Sequence, residues 1–174
     1  IDSEDYSWNM CPQSLELALK NNLPKAVIVT DIYGQSANYE MILNICEKFK
    51  IPIIEDAAES LGAVYNGQKC GSFGEMAIFS FNGNKIITTS GGGMLLSNNA
   101  EYIERARKLA SQAREPVVHY EHLELGYNYR MSNIIAAIGC AQLKSLDLFI
   151  EKRKRIFSKY KKEFNSIKGV SFMP

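Results

Sequence analysis

The chain has 174 residues, of which 46% are hydrophobic and 22% are charged, and its formal net charge is +1. These proportions are ordinary for one globular domain, and a chain of this length can bury about two thirds of its unfolded surface. The near balance of charge argues against a nucleic-acid-binding surface, which requires a clear basic excess. No apolar stretch reaches the length of about 20 residues that crosses a bilayer. We therefore expect neither a nucleic-acid nor a membrane partner.

Apolar, β-branched runs alternate along the chain with patterns of helical spacing. The predicted helices are residues 12–21, 38–50, 99–114 and 132–167, the last capped by Ser132 and broken near residues 145–147. The predicted strands are residues 26–30, 52–55, 76–81 and 94–97. The first run is continuously apolar, which is typical of a strand buried on both faces. This alternation predicts an α/β fold with a mostly parallel sheet flanked by helices.

Scattered cysteines and a pair of histidines give no metal-binding pattern. The cysteines form neither a CxxC pair nor a zinc site, so reduced thiols in the cytoplasm are the simplest interpretation. His119 and His122 lie three residues apart and could share a helix face, with Glu121 or Glu124 adding an oxygen ligand. Nothing else in the chain completes such a site. We expect no bound metal.

Polar residues follow two of the predicted strands. Asp56 follows the strand 52–55, while Ser80 and Lys85 lie at or beyond the end of the strand 76–81. In an open α/β sheet, parallel strands end at one edge, and ligands bind there. A lysine on a loop with a carboxylate at the same edge is typical of a pyridoxal phosphate enzyme. The lysine holds the cofactor as a Schiff base and the acid faces the pyridinium nitrogen.

Each of these residues also has an ordinary structural interpretation. Asp56 could be an N-cap or a turn aspartate after the strand, and Glu59 could be the N3 carboxylate of a capping box instead of a neighbour of the cofactor's phenolic oxygen. Ser80 could bond a phosphate or satisfy the end of its strand. The run of glycines 91–93 fits neither a Walker A loop nor a dinucleotide fingerprint, and we expect it to turn the chain back into the next strand.

Three segments, residues 54–60, 80–93 and 126–132, together resemble the DegT/DnrJ/EryC1/StrS family. Members of that family are pyridoxal phosphate-dependent sugar aminotransferases with the type I (aspartate aminotransferase) fold. The resemblance covers essentially the whole chain and implies the central part of the large domain. Residues 1–168 would be the later part of the cofactor-binding domain, including a long C-terminal helix, and residues 169–174 the start of a small domain. We expect a fragment that is inactive in isolation.

The resemblance also assigns the cofactor contacts. Lys85 resembles the Schiff-base lysine, and Asp56 resembles the acid that pairs with the pyridinium nitrogen. Glu59 lies where the family has a Gln or Glu near the cofactor ring. Ser80 resembles the hydroxyl that holds the cofactor phosphate.

The third segment implies a dimer and a substrate contact. Asn128 resembles an asparagine that reaches the cofactor phosphate of a neighbouring subunit, which implies a homodimer with a shared active site. Arg130 is assigned to the substrate nucleotide. The implied reaction moves an amino group from glutamate to C-4 of a nucleotide-linked 4-keto-6-deoxy sugar. A UDP-linked acetamido sugar is favoured, and the GDP-linked substrate of perosamine synthase is the alternative.

Other functions remain open at this point. Some family members carry out a dehydration with histidine in place of the lysine, which Lys85 argues against. Pyridoxal enzymes that act on amino acids have a different sequence around the lysine. A catalytically silent binding module with the same fold is the alternative from another class.

Overall fold

The computed structural model describes all 174 residues, and a four-stranded sheet with helices packed around it organises the chain. The helices are α1 (Pro12–Asn21), α2 (Tyr39–Phe49), α3 (Ala100–Ala110), α4 (Asn133–Leu143) and α5 (Leu146–Phe164), with one 3₁₀ turn at Ile32–Gly34. The strands are β1 (Val27–Thr30), β2 (Ile53–Asp56), β3 (Val64–Tyr65), β4 (Gln68–Lys69), β5 (Met76–Ser80) and β6 (Gly93–Leu96).

The strand order of the main sheet is β1-β2-β5-β6. The first three strands are parallel, and β6 runs antiparallel to β5. The register aligns Thr30, Asp56 and Ile78 across β1, β2 and β5, so these strands end at one edge. The predicted mostly parallel sheet with flanking helices is confirmed. The segment 91–93 turns the chain back from β5 into β6, as expected, with Gly92 at a φ of 93°.

Strand β1 differs from its predicted environment. Val27 and Val29 are buried, but Ile28 is 60% exposed and Thr30 is exposed. Within this chain the prediction that both faces are buried is wrong, because only the face that carries Val27 and Val29 packs against helices. That face forms the main hydrophobic core with residues of α1 and α2, which are Leu15, Leu19, Tyr39, Ile42 and Cys46.

The helix ends follow local chemistry. The Asn38 side chain accepts a hydrogen bond from the Met41 N–H at 3.2 Å and begins α2, and Lys50 ends it in the left-handed conformation. Helix α3 ends earlier than predicted because Gln112 and Ala113 have positive φ. The predicted break in the last helix is confirmed: α4 and α5 are separate and bent by 63°.

No single helix is long and apolar enough to cross a membrane, and only this bent pair reaches the combined length.

A short hairpin, β3–β4, was not predicted from the sequence. Its two-residue turn is Asn66-Gly67, with φ values of 48° and 83°. Two consecutive positive φ angles define the type I′ turn that Asn-Gly favours between paired strands. The Asn-Gly dipeptide was therefore the signal that could have identified it.

Candidate active site

Lys85 and Glu59 form an ion pair at the carboxyl edge of the sheet. The Lys85 ammonium lies 3.0 Å from Glu59 Oε1, and the Lys85 side chain is 15% exposed. Glu59 lies in the turn after β2, and Lys85 lies in the loop after β5. Because β2 and β5 are adjacent and parallel, the two segments leave the sheet side by side. The sequence-predicted lysine is thus a partly buried, paired group and not a solvated surface residue.

The other carboxylate oxygen of Glu59 accepts a hydrogen bond from the Tyr33 N–H at 2.8 Å. This bond and the Lys85 ammonium lower the pKa of Glu59. Tyr33 has a φ of 53°, so its N–H is presented by a local turn at the end of β1. Glu59 is therefore held ionised at neutral pH and fixed between two neighbouring segments.

Asp56 is the last residue of β2 and is partly exposed. One carboxylate oxygen accepts from the Ala58 N–H at 3.2 Å, and the other lies 3.5 Å from the Thr30 hydroxyl. No helix follows β2, so the interpretations of Asp56 as a helix N-cap and of Glu59 as part of a capping box are wrong, whereas the bond from the Ala58 N–H makes Asp56 a turn aspartate, its other structural interpretation. The carboxylate keeps acceptor capacity for a ligand at this edge.

Ser80 ends β5, the neighbouring strand, and lies two residues beyond the position aligned with Asp56. Its oxygen accepts a long hydrogen bond from the Asn82 N–H at 3.4 Å. No acceptor takes the hydroxyl proton, which leaves Ser80 able to donate to an anion. Asp56, Ser80 and the Lys85–Glu59 pair therefore share one edge of the sheet.

The loop that carries Lys85 is anchored by buried side chains and by hydrogen bonds at Thr88 and Thr89. Phe81, Ile87 and Thr89 are buried, and the Thr89 N–H donates to the Phe81 carbonyl at 2.9 Å. Gln142, on α4, bonds both the N–H and the carbonyl of Thr88, at 3.0 and 2.6 Å. Gln142 was missed by sequence reasoning because it lies 54 residues away from Thr88 with no motif of its own.

Asn128 and Arg130 lie in the segment 126–132, whose Met131 packs against Gly92 in the turn before β6. Both are exposed, and no hydrogen bond or ion pair joins either side chain to Asp56, Ser80 or Lys85. The segment is fixed by its backbone: the Tyr127 N–H donates to the Leu109 carbonyl at 2.7 Å, and the Tyr129 N–H donates to the Ala110 carbonyl at 3.0 Å. Within this chain, these two predicted site residues are not brought together with the others.

The histidine segment forms no cluster of metal ligands. His122 Nδ1 lies 2.8 Å from the Gln112 carbonyl, and His119 is paired with Glu121 at 3.6 Å. A different group, not predicted from the sequence, gathers beneath the site: an Asp31 oxygen, a Glu55 oxygen and the Cys70 sulfur lie within 4.8 Å of one another. Asp31 and Glu55 are fully buried.

The comparison with known families places these residues in context. The chain matches the DegT/DnrJ/EryC1/StrS aminotransferase family over residues 1–174. EpsN of Bacillus subtilis (strain 168), whose name carries the provisional description pyridoxal phosphate-dependent aminotransferase, is 58% identical over 100% of this chain and 46% of its own length.

Two further relatives are named for different nucleotide sugars. GDP-perosamine synthase of Escherichia coli O157:H7 is 38% identical over 96% of this chain and 46% of its own length. The UDP-4-amino-4,6-dideoxy-N-acetyl-beta-L-altrosamine transaminase of Campylobacter jejuni (strain 81-176) is 41% identical over 90% of this chain and 43% of its own length. The chain spans about half the length of the curated relatives that it matches.

The structure agrees with that grouping. A DegT DnrJ EryC1 StrS aminotransferase from Brucella abortus superposes with a TM-score of 0.88 at 31% identity, covering 100% of this chain and 48% of the other. The type I fold class expected from the sequence is confirmed.

Proposed function

Because the chain belongs to the DegT/DnrJ/EryC1/StrS aminotransferase family, we propose that it carries the catalytic lysine of a pyridoxal phosphate-dependent nucleotide-sugar aminotransferase. The observation that carries this proposal is the Lys85–Glu59 contact of 3.0 Å at the sheet edge where Asp56 and Ser80 also lie. A partly buried lysine with a fixed carboxylate neighbour is suited to proton transfer.

The residues present fit the cofactor. Asp56 would face the pyridine nitrogen, Ser80 would donate to the phosphate, and Lys85 would hold the aldehyde carbon, with Glu59 near the ring. The chemistry of these side chains supports this assignment. The Asp56 carboxylate can accept further hydrogen bonds, the Ser80 hydroxyl proton has no acceptor, and the Lys85 amine lies at the same edge of the sheet. When bound, pyridoxal phosphate supplies an aldehyde that carries the amino group and a ring that withdraws electrons.

Lys85 and Glu59 would divide the proton handling. Lys85 must release a proton from its ammonium group before the amine can act as nucleophile or base. Glu59 Oε1, at 3.0 Å, orients Nζ, and the Tyr33 N–H keeps the carboxylate in place. Lys85 would then move the proton between cofactor and substrate carbons, while Glu59 holds the Lys85 amine in position for this transfer.

For the substrate, we propose a nucleotide-linked 4-keto-6-deoxy sugar aminated at C-4, with glutamate as the amino donor. The names of the relatives support the nucleotide-sugar class, and they include both a GDP-sugar and a UDP-sugar enzyme. A UDP-linked acetamido sugar is our preferred substrate, and the GDP-linked substrate of perosamine synthase is the second candidate. A cytoplasmic location is part of the proposal, supported by cysteines that are all free thiols.

We propose a homodimer in which Asn128 reaches the phosphate of the partner's cofactor and Arg130 approaches the nucleotide. Support comes from their exposure and free side chains: both are exposed, beside the stacked rings of Tyr127 and Tyr129, and neither bonds to Asp56, Ser80 or Lys85 of its own chain. An exposed asparagine amide is free to bond a phosphate across an interface.

The direct test is a half-reaction in the full-length protein loaded with pyridoxal phosphate. Glutamate should be converted to 2-oxoglutarate in an amount equal to the enzyme sites, and Lys85→Ala should abolish this conversion. Lys108→Ala is the matched control, because Lys108 is also a paired lysine, 2.7 Å from Glu115, but lies on α3 and does not contact Glu59. Conversion that survives in Lys85→Ala would overturn the proposal. Turnover with UDP-linked and GDP-linked keto sugars would then decide between the two substrates.

A further inference from the structure

Asp31 and Glu55 form a buried carboxyl pair that the proposed chemistry does not use. Both are fully buried, and an oxygen of each lies within 4.8 Å of the other and of the Cys70 sulfur. Neither carboxyl has a Lys, Arg or His partner within 4.0 Å. Two ionised carboxylates in such a place would repel each other with no cation to offset the cost.

Every carboxyl oxygen of the pair accepts a hydrogen bond, and the donors come from three parts of the chain. Asp31 accepts from the Ala37 N–H and from the Ser60 hydroxyl, each at 2.8 Å. Glu55 accepts from the Phe73 N–H at 2.8 Å and from the Gly71 N–H. The pair thus connects the segment before α2, the turn after β2 and the loop before β5.

The other groups that face the pair are neutral. The Tyr39 hydroxyl is fully buried and has no hydrogen-bond partner, and burial, followed by the charges of Asp31 and Glu55, raises the pKa of Tyr39. Burial, followed by the charge of Asp31, raises the pKa of Cys70 to about 12. Burial also raises the pKa of the Glu55 carboxyl. The donors around the pair are therefore uncharged at neutral pH.

The Ser60 contact connects this pair to the candidate active site. The turn after β2 closes with a hydrogen bond from the Ser60 N–H to the Ala57 carbonyl at 3.1 Å, and Ala57 and Ser60 are buried. Glu59, which holds Lys85, lies inside this turn. The Asp31 N–H also donates to the Asp56 carbonyl at 3.1 Å. Asp31 is thus bonded to both ends of the segment that presents Asp56 and Glu59.

We propose that the buried Asp31–Glu55 pair carries one proton, and that it positions the turn 56–60 so that Glu59 meets Lys85. Asp31, Glu55 and Ser60 are positioning residues. One proton on the pair removes the repulsion between its two carboxylates. This inference concerns the same site as the proposed function, but its test needs neither bound cofactor nor turnover.

The protonation state is measured in the full-length protein by infrared spectroscopy at neutral pH, with glutamate and aspartate labelled by ¹³C at the side-chain carboxyl. We expect one band of a protonated carboxylic acid that shifts with the label and is lost in the double variant Asp31→Asn, Glu55→Gln, because both carboxyls of the pair are then absent. The absence of a label-sensitive band in the wild-type protein overturns the protonation claim, and that measurement needs no variant to fold.

The positioning role is measured by the rate at which an amine reagent, acetic anhydride, acylates Lys85 in the cofactor-free protein, mapped by mass spectrometry. Ser60→Ala cuts the bond to Asp31 and should raise Lys85 labelling several-fold relative to Lys108. Ser97→Ala is the matched control, because the Ser97 hydroxyl donates to the Glu75 carbonyl at 2.6 Å, outside the turn. Equal labelling of Lys85 in wild type and Ser60→Ala would refute the positioning role, whatever the enzyme's substrate.

Discussion

Lys85 and Glu59 are 26 residues apart in sequence, yet Lys85 Nζ lies 3.0 Å from Glu59 Oε1. The contact exists because two parallel, adjacent strands end at one edge and each is followed by a short, well-anchored segment. The turn after β2 is held by buried hydrogen bonds, and the loop after β5 is held by Gln142 of α4. Lys85 and Glu59 therefore lie on segments that are held in place by hydrogen bonds from neighbouring elements.

The Glu59 contact should be visible in the pH dependence of stability. The folded-state pKa of Glu59 is below its unfolded value of 4.5, so its contribution is present above pH 4.5 and is lost as the pH falls. We expect Glu59→Gln to lower the free energy of unfolding by about 1 kcal/mol at neutral pH. The difference from wild type should shrink below pH 4.5. Urea titrations between pH 3 and pH 7 measure it, and a pH-independent difference would contradict the assignment.

Tyr39 offers a test of the buried polar network. Because its hydroxyl is buried and has no partner, Tyr39→Phe should raise the free energy of unfolding by about 1 kcal/mol. The matched control is Tyr65→Phe, since the Tyr65 hydroxyl donates to Asn38 Oδ1 at 3.1 Å and its loss should destabilise the protein by about 1 kcal/mol. Both are measured by urea unfolding. A destabilised Tyr39→Phe would mean that the hydroxyl does have a partner.

Gly126 allows the segment that carries Asn128 to pack against the end of α3. A Cβ at this position would lie 2.2 Å from the Ala113 nitrogen and 2.7 Å from its Cβ, so the backbone would have to move. We expect Gly126→Ala to destabilise the protein by about 2 kcal/mol. Gly83→Ala, where nothing lies within 4 Å, should change stability by less than about 0.5 kcal/mol. Similar unfolding midpoints for these two variants would show that the 126–132 segment is not packed as described.

Local patterns in the sequence predicted much of this arrangement. Asp56 and Lys85 follow apolar strands, so their shared edge could be predicted once the strands were taken to be parallel. The role of Asp31 could not be predicted, because its carboxylate bonds to Ser60, 29 residues away, and no short motif indicates that contact. The same holds for Gln142 and Thr88. The exposure of Ile28 was mispredicted because a continuously apolar run does not reveal that only one face of β1 is covered within this chain.

The silent binding module and the enzyme make opposite predictions for one substitution. Lys85→Ala in the full-length protein should remove the visible absorbance of bound cofactor and abolish amino transfer if Lys85 is catalytic. If the protein is a binding module, the Lys85→Ala variant should still bind its partner. Circular dichroism of the variant confirms that it is folded, so a loss of function is assigned to the missing amine.

The most direct measurement is borohydride reduction of the full-length protein with pyridoxal phosphate, followed by proteolysis and mass mapping. The proposal predicts a phosphopyridoxyl group on the peptide that contains Lys85 and none on the peptide that contains Lys108. An unmodified Lys85 in the folded, complete protein would contradict the assignment of the catalytic lysine and, with it, the proposed aminotransferase activity.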